Sequence, residues 1–233
     1  MDKDTTTSYP SRRVPQPVHK TYKVGRAAFL GLTGVGAGAL FLGKTSLPKF
    51  NLVPGSSSVN GFTIYTVTDG YPKFDSATYR LKVGGMVDHP MTLSIADVLQ
   101  QPAVTTPDYY HCVTGWTVPN IQWTGIRLSH LLDQVAPHSG AHAVKFSCFD
   151  GVYTESLTMQ QARQSNVLLA YKLNGKPLST AQGAPVRLVV PGMYGYKYAK
   201  WVNQIELISA PIDGYWERNG YDRDAYIGHS NGA

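Results

Sequence analysis

The sequence predicts an α+β fold, rich in strands with short helices between them, and three observations carry that expectation. Short segments dense in β-branched and aromatic residues recur from residue 60 onward, as strands require. Two helix starts are written as capping boxes, Ser94 with Asp97 and Thr158 with Gln161, and Pro102 halts the first within about two turns. No internal repeat is visible, and short helices stand between strands, the α+β pattern.

In order, GFTIYTVT reads as a strand or extended arm. In YRLKVGG, Tyr79, Leu81 and Val83 alternate with polar residues, predicting a strand that ends at a Gly-Gly turn. The Ser94 helix should run through Gln100. The stretch around HCVTGW, His111 to Trp116, lacks regular signals and is expected to be a loop. Ser129 is expected to cap a helix that turns Leu131, Leu132 and Val135 inward and stops at Pro137. Val144, Phe146 and Cys148 share one face of a strand ending at Asp150-Gly151. VLLAYKL and VRLVV read as buried strands, with Asn174-Gly175 a tight turn after the first. WVNQIELIS alternates and closes the sheet region. The last stretch, GYWERNGYDRDAYIGHSNG, has aromatics without periodicity and is expected to wrap the surface.

Charge divides the chain. The formal net charge is +6, with 21 basic and 15 acidic residues in 233. Eight of the basic and two of the acidic residues precede residue 51, so the remainder carries thirteen of each. A neutral body argues against nucleic acid as a partner, because such a binder carries its cations on the folded surface. The expected organisation is a basic, proline-bearing tail over 1–23, a hydrophobic signal or anchor segment over 24–43, a linker over 44–59 and one domain over 60–233. AAFLGLTGVGAGALFLG, Ala27 to Gly43, holds no charge and follows a run of Lys and Arg, which predicts the body on the far side of a membrane. Around it, KVGRAAFLGL is similar to the start of a twin-arginine export signal, with Gly25 where the first arginine would stand.

The chain has two cysteines, Cys112 and Cys148. In an exported protein they could form a disulfide. Equally, Cys112 lies among glycine and aromatic residues, a setting for a reactive or ligating thiolate. A zinc site lacks partners at ligand spacing, and a cysteine protease lacks a local signature. Residue chemistry alone leaves the disulfide and the ligand open.

Five blocks in fixed order, HCVTGW, WTGIRLSHLL, FDGVYTESLT, LLAYKLNGKPL and GAPVRLVVPGMYGYKYAKW, resemble the molybdopterin-binding domain of the sulfite oxidase family. The resemblance covers residues 60–233 and is nearest to the haem-free bacterial branch that includes the periplasmic methionine sulfoxide reductase catalytic subunit. It implies a sulfite-oxidase-like fold with short helices around mixed sheets, and a molybdenum-molybdopterin cofactor. Cys112 takes the position of the metal's cysteine ligand. Arg187 matches the arginine that holds the pterin or its phosphate, and Tyr198, Ala199 and Lys200 match a cofactor-holding segment. Asn60 matches a pterin-contacting asparagine. Cys148 falls beside the pterin, where Thr or Ser is usual, as a reduced neighbour. Gln182 replaces a histidine, and Gly183 and Gly195 are expected to let backbone approach the cofactor closely. Tyr194, Tyr196 and Trp116 are candidates for the substrate pocket.

What the resemblance implies is an exported, membrane-anchored oxidoreductase that transfers an oxygen atom with two electrons to or from a small-molecule substrate such as a sulfoxide. Lacking haem or iron–sulfur motifs, it would draw on a redox partner such as a membrane-bound cytochrome. The sulfite-oxidising branch follows its cysteine with Gly-Asn-Arg-Arg; here Val113-Thr114-Gly115-Trp116 stands instead, without cations for sulfite. The alternatives are a sulfite dehydrogenase-like enzyme, or a cofactor-free surface module closed by a Cys112–Cys148 disulfide.

Overall fold

A computed structural model describes residues 51–52 and 60–229. The expected tail over 1–23, the hydrophobic segment over 24–43 and most of the linker lie outside the described residues. Twelve strands and three short helices are seen among those described. β1 (Asn51–Leu52) pairs antiparallel with β2 (Tyr65–Thr66), so GFTIYTVT is mostly an extended arm. β3 (Leu81–Gly85) buries Leu81 and Val83, and Tyr79 just before it is buried too; the strand pairs with β4 (Met91–Leu93). α1 (Ile95–Gln100) begins at the Ser94 box, whose two halves bond reciprocally.

The expected loop around Cys112 is present over residues 112–116, as the tip of a long antiparallel hairpin whose strands were not foreseen, β5 (Ala103–His111) with β6 (Thr117–Arg127). Prolines hid both strands. Pro107 is tolerated because β5 is an edge strand. Pro119 sits at an irregularity, where the pairing shifts between Asp108 and Tyr110 and Asn120 takes a φ of 55°. α2 (Leu128–Gln134) buries Leu131 and Leu132, with Val135 next to it, but its N-cap is Arg127 and Ser129 lies inside the first turn.

β7 (Ala143–Cys148) buries Val144, Phe146 and Cys148 as its alternation demands. It turns into β8 (Thr154–Thr158), which the sequence reading did not separate, and α3 (Met159–Ala162) follows from the Thr158 box. β9 (Leu168–Leu173) turns at Asn174-Gly175, both at positive φ, into β10 (Lys176–Pro177). β11 (Arg187–Val189) pairs with the other end of β9. β12 (Val202–Ile208) lies at the centre of its sheet rather than at a boundary, parallel to β3 and antiparallel to β7.

Two five-stranded sheets result. One runs β10-β9-β6-β5 with β11 also on β9, and the other runs β4-β3-β12-β7-β8. Their apolar faces share one buried cluster that includes Trp123, Ile126, Leu169, Leu188, Phe146, Ile205 and Leu207. The chain leaves β11 and re-enters at β12 through residues 190–201, bridging one sheet to the other. The final stretch is more than a surface wrap: Glu217 and Ala225 are buried, and Tyr194 N–H donates to Ala225 O.

Candidate active site

One cleft gathers residues from seven separate pieces of chain. It encloses about 940 Å³ of space, part of it open to solvent. The arm 62–67, the β5–β6 tip, the β7–β8 turn, the turn Thr180–Gln182, the start of β11, residues 195–201 and the C-terminal wrap all face it.

Cys112 is held at the hairpin tip. Its N–H donates to Trp116 O at 2.9 Å, and Gly115, at a φ of 99°, donates back to Cys112 O at 2.9 Å. Glycine is suited to that last position because the turn needs a left-handed residue. Burial pushes the Cys112 thiol pKa up, and a hydrogen-bond contact of 3.2 Å between Sγ and Thr114 Oγ1 works the other way. Cys148 is buried in β7 and does not line the cleft; both cysteines carry free thiols.

The cationic end is built around Arg187. Its guanidinium is buried, donates to Gln182 O at 2.8 Å and Tyr198 O at 3.1 Å, and lies 4.9 Å from the Trp123 ring centroid. Asp108 accepts from both Trp123 Nε1 and Tyr198 Oη at 3.0 Å, which fixes the two rings that flank the guanidinium. Arg187 Nε and Gln182 Nε2 are buried without a hydrogen-bond partner among the described residues. Lys200 Nζ donates to Tyr65 O at 2.6 Å and lies over the Trp201 ring. Burial, and then Arg187, drop the Lys200 pKa from 10.5 to about 7. Neither Arg187 nor Lys200 forms a salt bridge with a carboxylate among the described residues. Asp150 completes this wall; Oδ1 accepts from Tyr153 N–H, while the buried Oδ2 has no partner among the described residues.

The two glycines make room for side chains. A Cβ on Gly183 would sit 3.1 Å from Lys200 Cβ and 3.2 Å from Arg187 Cβ, and one on Gly195 would overlap the Tyr110 hydroxyl outright. The close approaches expected for a cofactor are thus made by the cation stems and the Tyr110 ring.

Of the residues singled out from sequence, Cys112, Gln182, Arg187, Tyr196, Tyr198 and Lys200 line the cleft. Ala199 is buried beside it, its carbonyl accepting from Leu188 N–H. Asn60 is exposed at the start of the arm and is not among the lining residues. Tyr194 is half-buried outside the cleft, with its hydroxyl accepting from Gly228 N–H at 3.4 Å. Tyr196 lines the cleft but gives its hydroxyl proton to Asp222 O at 2.7 Å. Trp116 packs behind the wall on Tyr110, at 5.4 Å between ring centroids. Arg187 and Lys200 do not pair with Asp150 or Glu206; Glu206 takes Lys145 instead.

Sequence reasoning missed Tyr221. It lines the cleft, packs at 5.1 Å on Trp216 and 5.3 Å on Tyr196, and its hydroxyl is bonded to none of the described residues. Burial, and then the neighbouring Cys112 sulfur, raise its pKa. No local motif marks it, because the wrap that carries it has no periodicity; only the fold brings it to Cys112.

The chain matches the family described as oxidoreductase molybdopterin binding domain over residues 68–216. It is 34% identical over 184 residues to the uncharacterized oxidoreductase YuiH of Bacillus subtilis, covering 78% of this chain and 92% of that protein. It is 31% identical over 160 residues to the protein-methionine-sulfoxide reductase catalytic subunit MsrP of Campylobacter jejuni, covering 62% of this chain and 54% of the relative. The chain thus spans about half of that reductase. Among solved structures, the sulfane dehydrogenase SoxCD from Paracoccus pantotrophus aligns with a TM-score of 0.60 at 20% identity, covering 90% of this chain and 57% of that one. At that identity the likeness is one of fold.

Proposed function

Because the chain belongs to the oxidoreductase molybdopterin-binding domain family, and its cofactor is accordingly molybdenum-molybdopterin, we propose that it reduces sulfoxides, with Cys112 as the protein ligand to molybdenum. The residues fit the cofactor. Arg187 Nε and Gln182 Nε2 are buried donors in need of an acceptor, and Lys200 is a cation whose charge burial suppresses. A phosphate satisfies all three. Asp150 Oδ2 is a buried acceptor without a donor among the described residues, which an amino-substituted pterin ring supplies. A soft metal suits Cys112 Sγ, and coordination offsets the burial that holds the thiol protonated.

When bound, the cofactor would supply the two electrons for oxygen-atom transfer. In balance, one sulfoxide, two electrons and two protons give one thioether and one water. The chain's own residues bind and protonate. The observation that carries the reading is Tyr221, a phenol that lines the same cleft as Cys112 and whose hydroxyl has no hydrogen-bond partner among the described residues. It donates a hydrogen bond to the sulfoxide oxygen and helps deliver a proton as that oxygen leaves. Tyr65 and Trp216 make this end of the cleft aromatic, and the lining cations stay at the Arg187–Lys200 end. An uncharged sulfoxide therefore suits the Cys112 end better than the sulfite dianion.

The same reading takes 24–43 as the export signal or anchor, places 60–233 outside the cytoplasm and takes electrons from a membrane-bound cytochrome. The basic excess ahead of residue 51 supports the orientation. The test uses protein from a cofactor-competent host, assayed with methionine sulfoxide and a reduced viologen. Molybdenum near one per chain is expected, with turnover that Cys112→Ser abolishes. Sulfite oxidation without sulfoxide reduction would overturn the substrate, and absence of molybdenum would overturn the cofactor placement.

A further inference from the structure

A buried ionic cluster lies behind the cleft's outer wall. Lys197 ends the turn Gly195–Lys197, and its side chain is fully shielded from solvent rather than exposed at a sheet edge. Nζ donates to Glu155 Oε1 on β8 at 2.5 Å, to Ser156 O at 3.0 Å and to Glu217 Oε1 in the wrap at 2.7 Å. Both carboxylates are as buried as the lysine, and each keeps one oxygen without a partner among the described residues. None of the three lines the cleft, yet each neighbours a residue that does. Tyr196 precedes Lys197, Trp216 precedes Glu217, and Tyr153 lies two residues before Glu155.

We propose that Lys197, Glu155 and Glu217 act as positioning residues: by seating Glu217 on Lys197 they fix the register of 214–221 against β8 and so hold Trp216 and Tyr221 at the substrate end of the cleft. The role for Tyr221 rests on the function proposed above; the seating of the wrap does not.

The physical case begins with cost. Removing an ion from water carries a large desolvation cost even after relaxation, so two carboxylates around one ammonium are a poor device for stability alone. Apolar side chains of similar volume would hold the wrap as firmly. They would also let it slide, whereas Glu217 meets the Lys197 ammonium in one register. In a slipped one it would be buried without a cation or drawn out to solvent, losing the seat. The backbone is cut to that register. A Cβ at Gly214 would lie 2.6 Å from Glu217 Oε2 and 2.7 Å from Thr154 O, so glycine is what lets Glu217 enter. On either side the wrap is tied through its backbone, Tyr215 N–H donating to Thr154 O at 2.9 Å and the Tyr196 hydroxyl donating to Asp222 O at 2.7 Å. Between them, Glu217 is the charged side chain that reaches the buried cluster.

The test compares holoprotein carrying Glu217→Leu with Glu217→Gln. Leucine leaves Lys197 and Glu155 as a one-to-one pair but removes the seat; glutamine keeps an acceptor oxygen for Lys197. Glu217→Leu is expected to speed amide exchange across 214–221 roughly tenfold and to lower kcat/KM for methionine sulfoxide about tenfold, with molybdenum content unchanged. Glu217→Gln should restore both. Wild-type exchange in the leucine variant would overturn the proposal, as would loss of molybdenum from it. Wild-type protein supplies an independent arm should the leucine variant fail to fold. The amides of Gly220 and Tyr221, bonded to Glu217 O and Trp216 O, must exchange as slowly as those of β12, and fast exchange there overturns the seat. A Tyr221→Phe enzyme that keeps full turnover would sink the proton-donor role while the exchange data still decide the cluster.

Discussion

Lys200→Met separates the cost of holding a cation in the cleft from its use there. Lys200 Nζ sits against Tyr65 O, and burial together with Arg187 takes its pKa from 10.5 to about 7. A lysine with a depressed folded pKa contributes a stability deficit that is absent above the unfolded value and grows as pH falls towards the folded one. A shift of that size corresponds to about 4 kcal/mol of deficit at pH 7. Methionine removes the deficit at similar volume but loses the hydrogen bond from the Lys200 ammonium to Tyr65 O, worth about 1.5–3 kcal/mol. Cofactor-free Lys200→Met should therefore be the more stable protein at neutral pH by roughly 1–3 kcal/mol, a rise in Tm of about 2–4 °C per kcal/mol. The gain should shrink as pH climbs from 7 towards 10.5, the unfolded value, above which the wild-type lysine is neutral in both states. If Lys200 holds the cofactor as proposed, the sign should reverse in loaded protein, because an anion would restore the charge that burial suppresses, and the variant should retain less molybdenum per chain. The assay pairs thermal melts of cofactor-free protein near pH 7 and near pH 10 with elemental analysis of protein from a competent host. A cofactor-free variant that melts below wild type at neutral pH, or a gap that does not narrow with rising pH, would refute the reasoning. Unchanged molybdenum would refute the assignment of Lys200 to the cofactor.

Other perturbations read different parts of the cleft. Tyr221→Phe keeps the ring packed on Trp216 and Tyr196 and deletes the hydroxyl, so kcat for methionine sulfoxide should fall about 10²-fold or more with molybdenum content unchanged; Tyr194→Phe, outside the cleft, should leave both near wild type. Gly195→Ala forces its methyl into the Tyr110 hydroxyl; overpacking of this kind costs about 1–3 kcal/mol, seen as a lower denaturation midpoint, and Tyr110→Leu in the same chain should recover part of it. Arg187→Met removes a guanidinium that donates to Gln182 O and Tyr198 O; molybdenum retention should collapse, whereas Arg187→Lys, lacking the planar fork, should keep only a fraction.

How far the sequence reached depended on which physical signal each element carries. Capping boxes are local, and those at Ser94 and Thr158 formed as written. Alternation is local too, and Val144, Phe146 and Cys148 went inward together. The β5–β6 hairpin went unseen because its licence is tertiary. Pro107 is acceptable only once β5 is known to be an edge, and Pro119 only once the pairing is known to shift there. Ser129 has the chemistry of a cap but stands two residues past Arg127, where the chain first turns helical. β12 alternates like an edge strand, yet a parallel partner on one side and an antiparallel one on the other put it in the middle, a placement that no window of its own residues encodes.

The site divides along the same line. The blocks around Cys112, Gln182, Arg187 and Lys200 are contiguous stretches, so their resemblance to a family could be read directly, and the fold brings them to one cleft. The tyrosines were ranked by nearness in sequence to those blocks, and there nearness misleads. Successive residues of 194–198 point different ways, which leaves Tyr194 outside, turns the Tyr196 hydroxyl to Asp222 O and locks Tyr198 onto Asp108. Tyr221 reaches Cys112 from more than a hundred residues away, and what brings it there is Glu217 on Lys197, two residues that in sequence look like ordinary surface charges. A lysine in a Gly-Tyr-Lys-Tyr run gives no sign of being fully buried until two carboxylates from distant segments are seen to converge on it. The proposed cofactor end of the cleft is therefore legible as motif, while its other end is legible only as packing; sequence comparison alone will place Arg187 and Lys200 in a relative but will not say which phenol shares the cleft with Cys112.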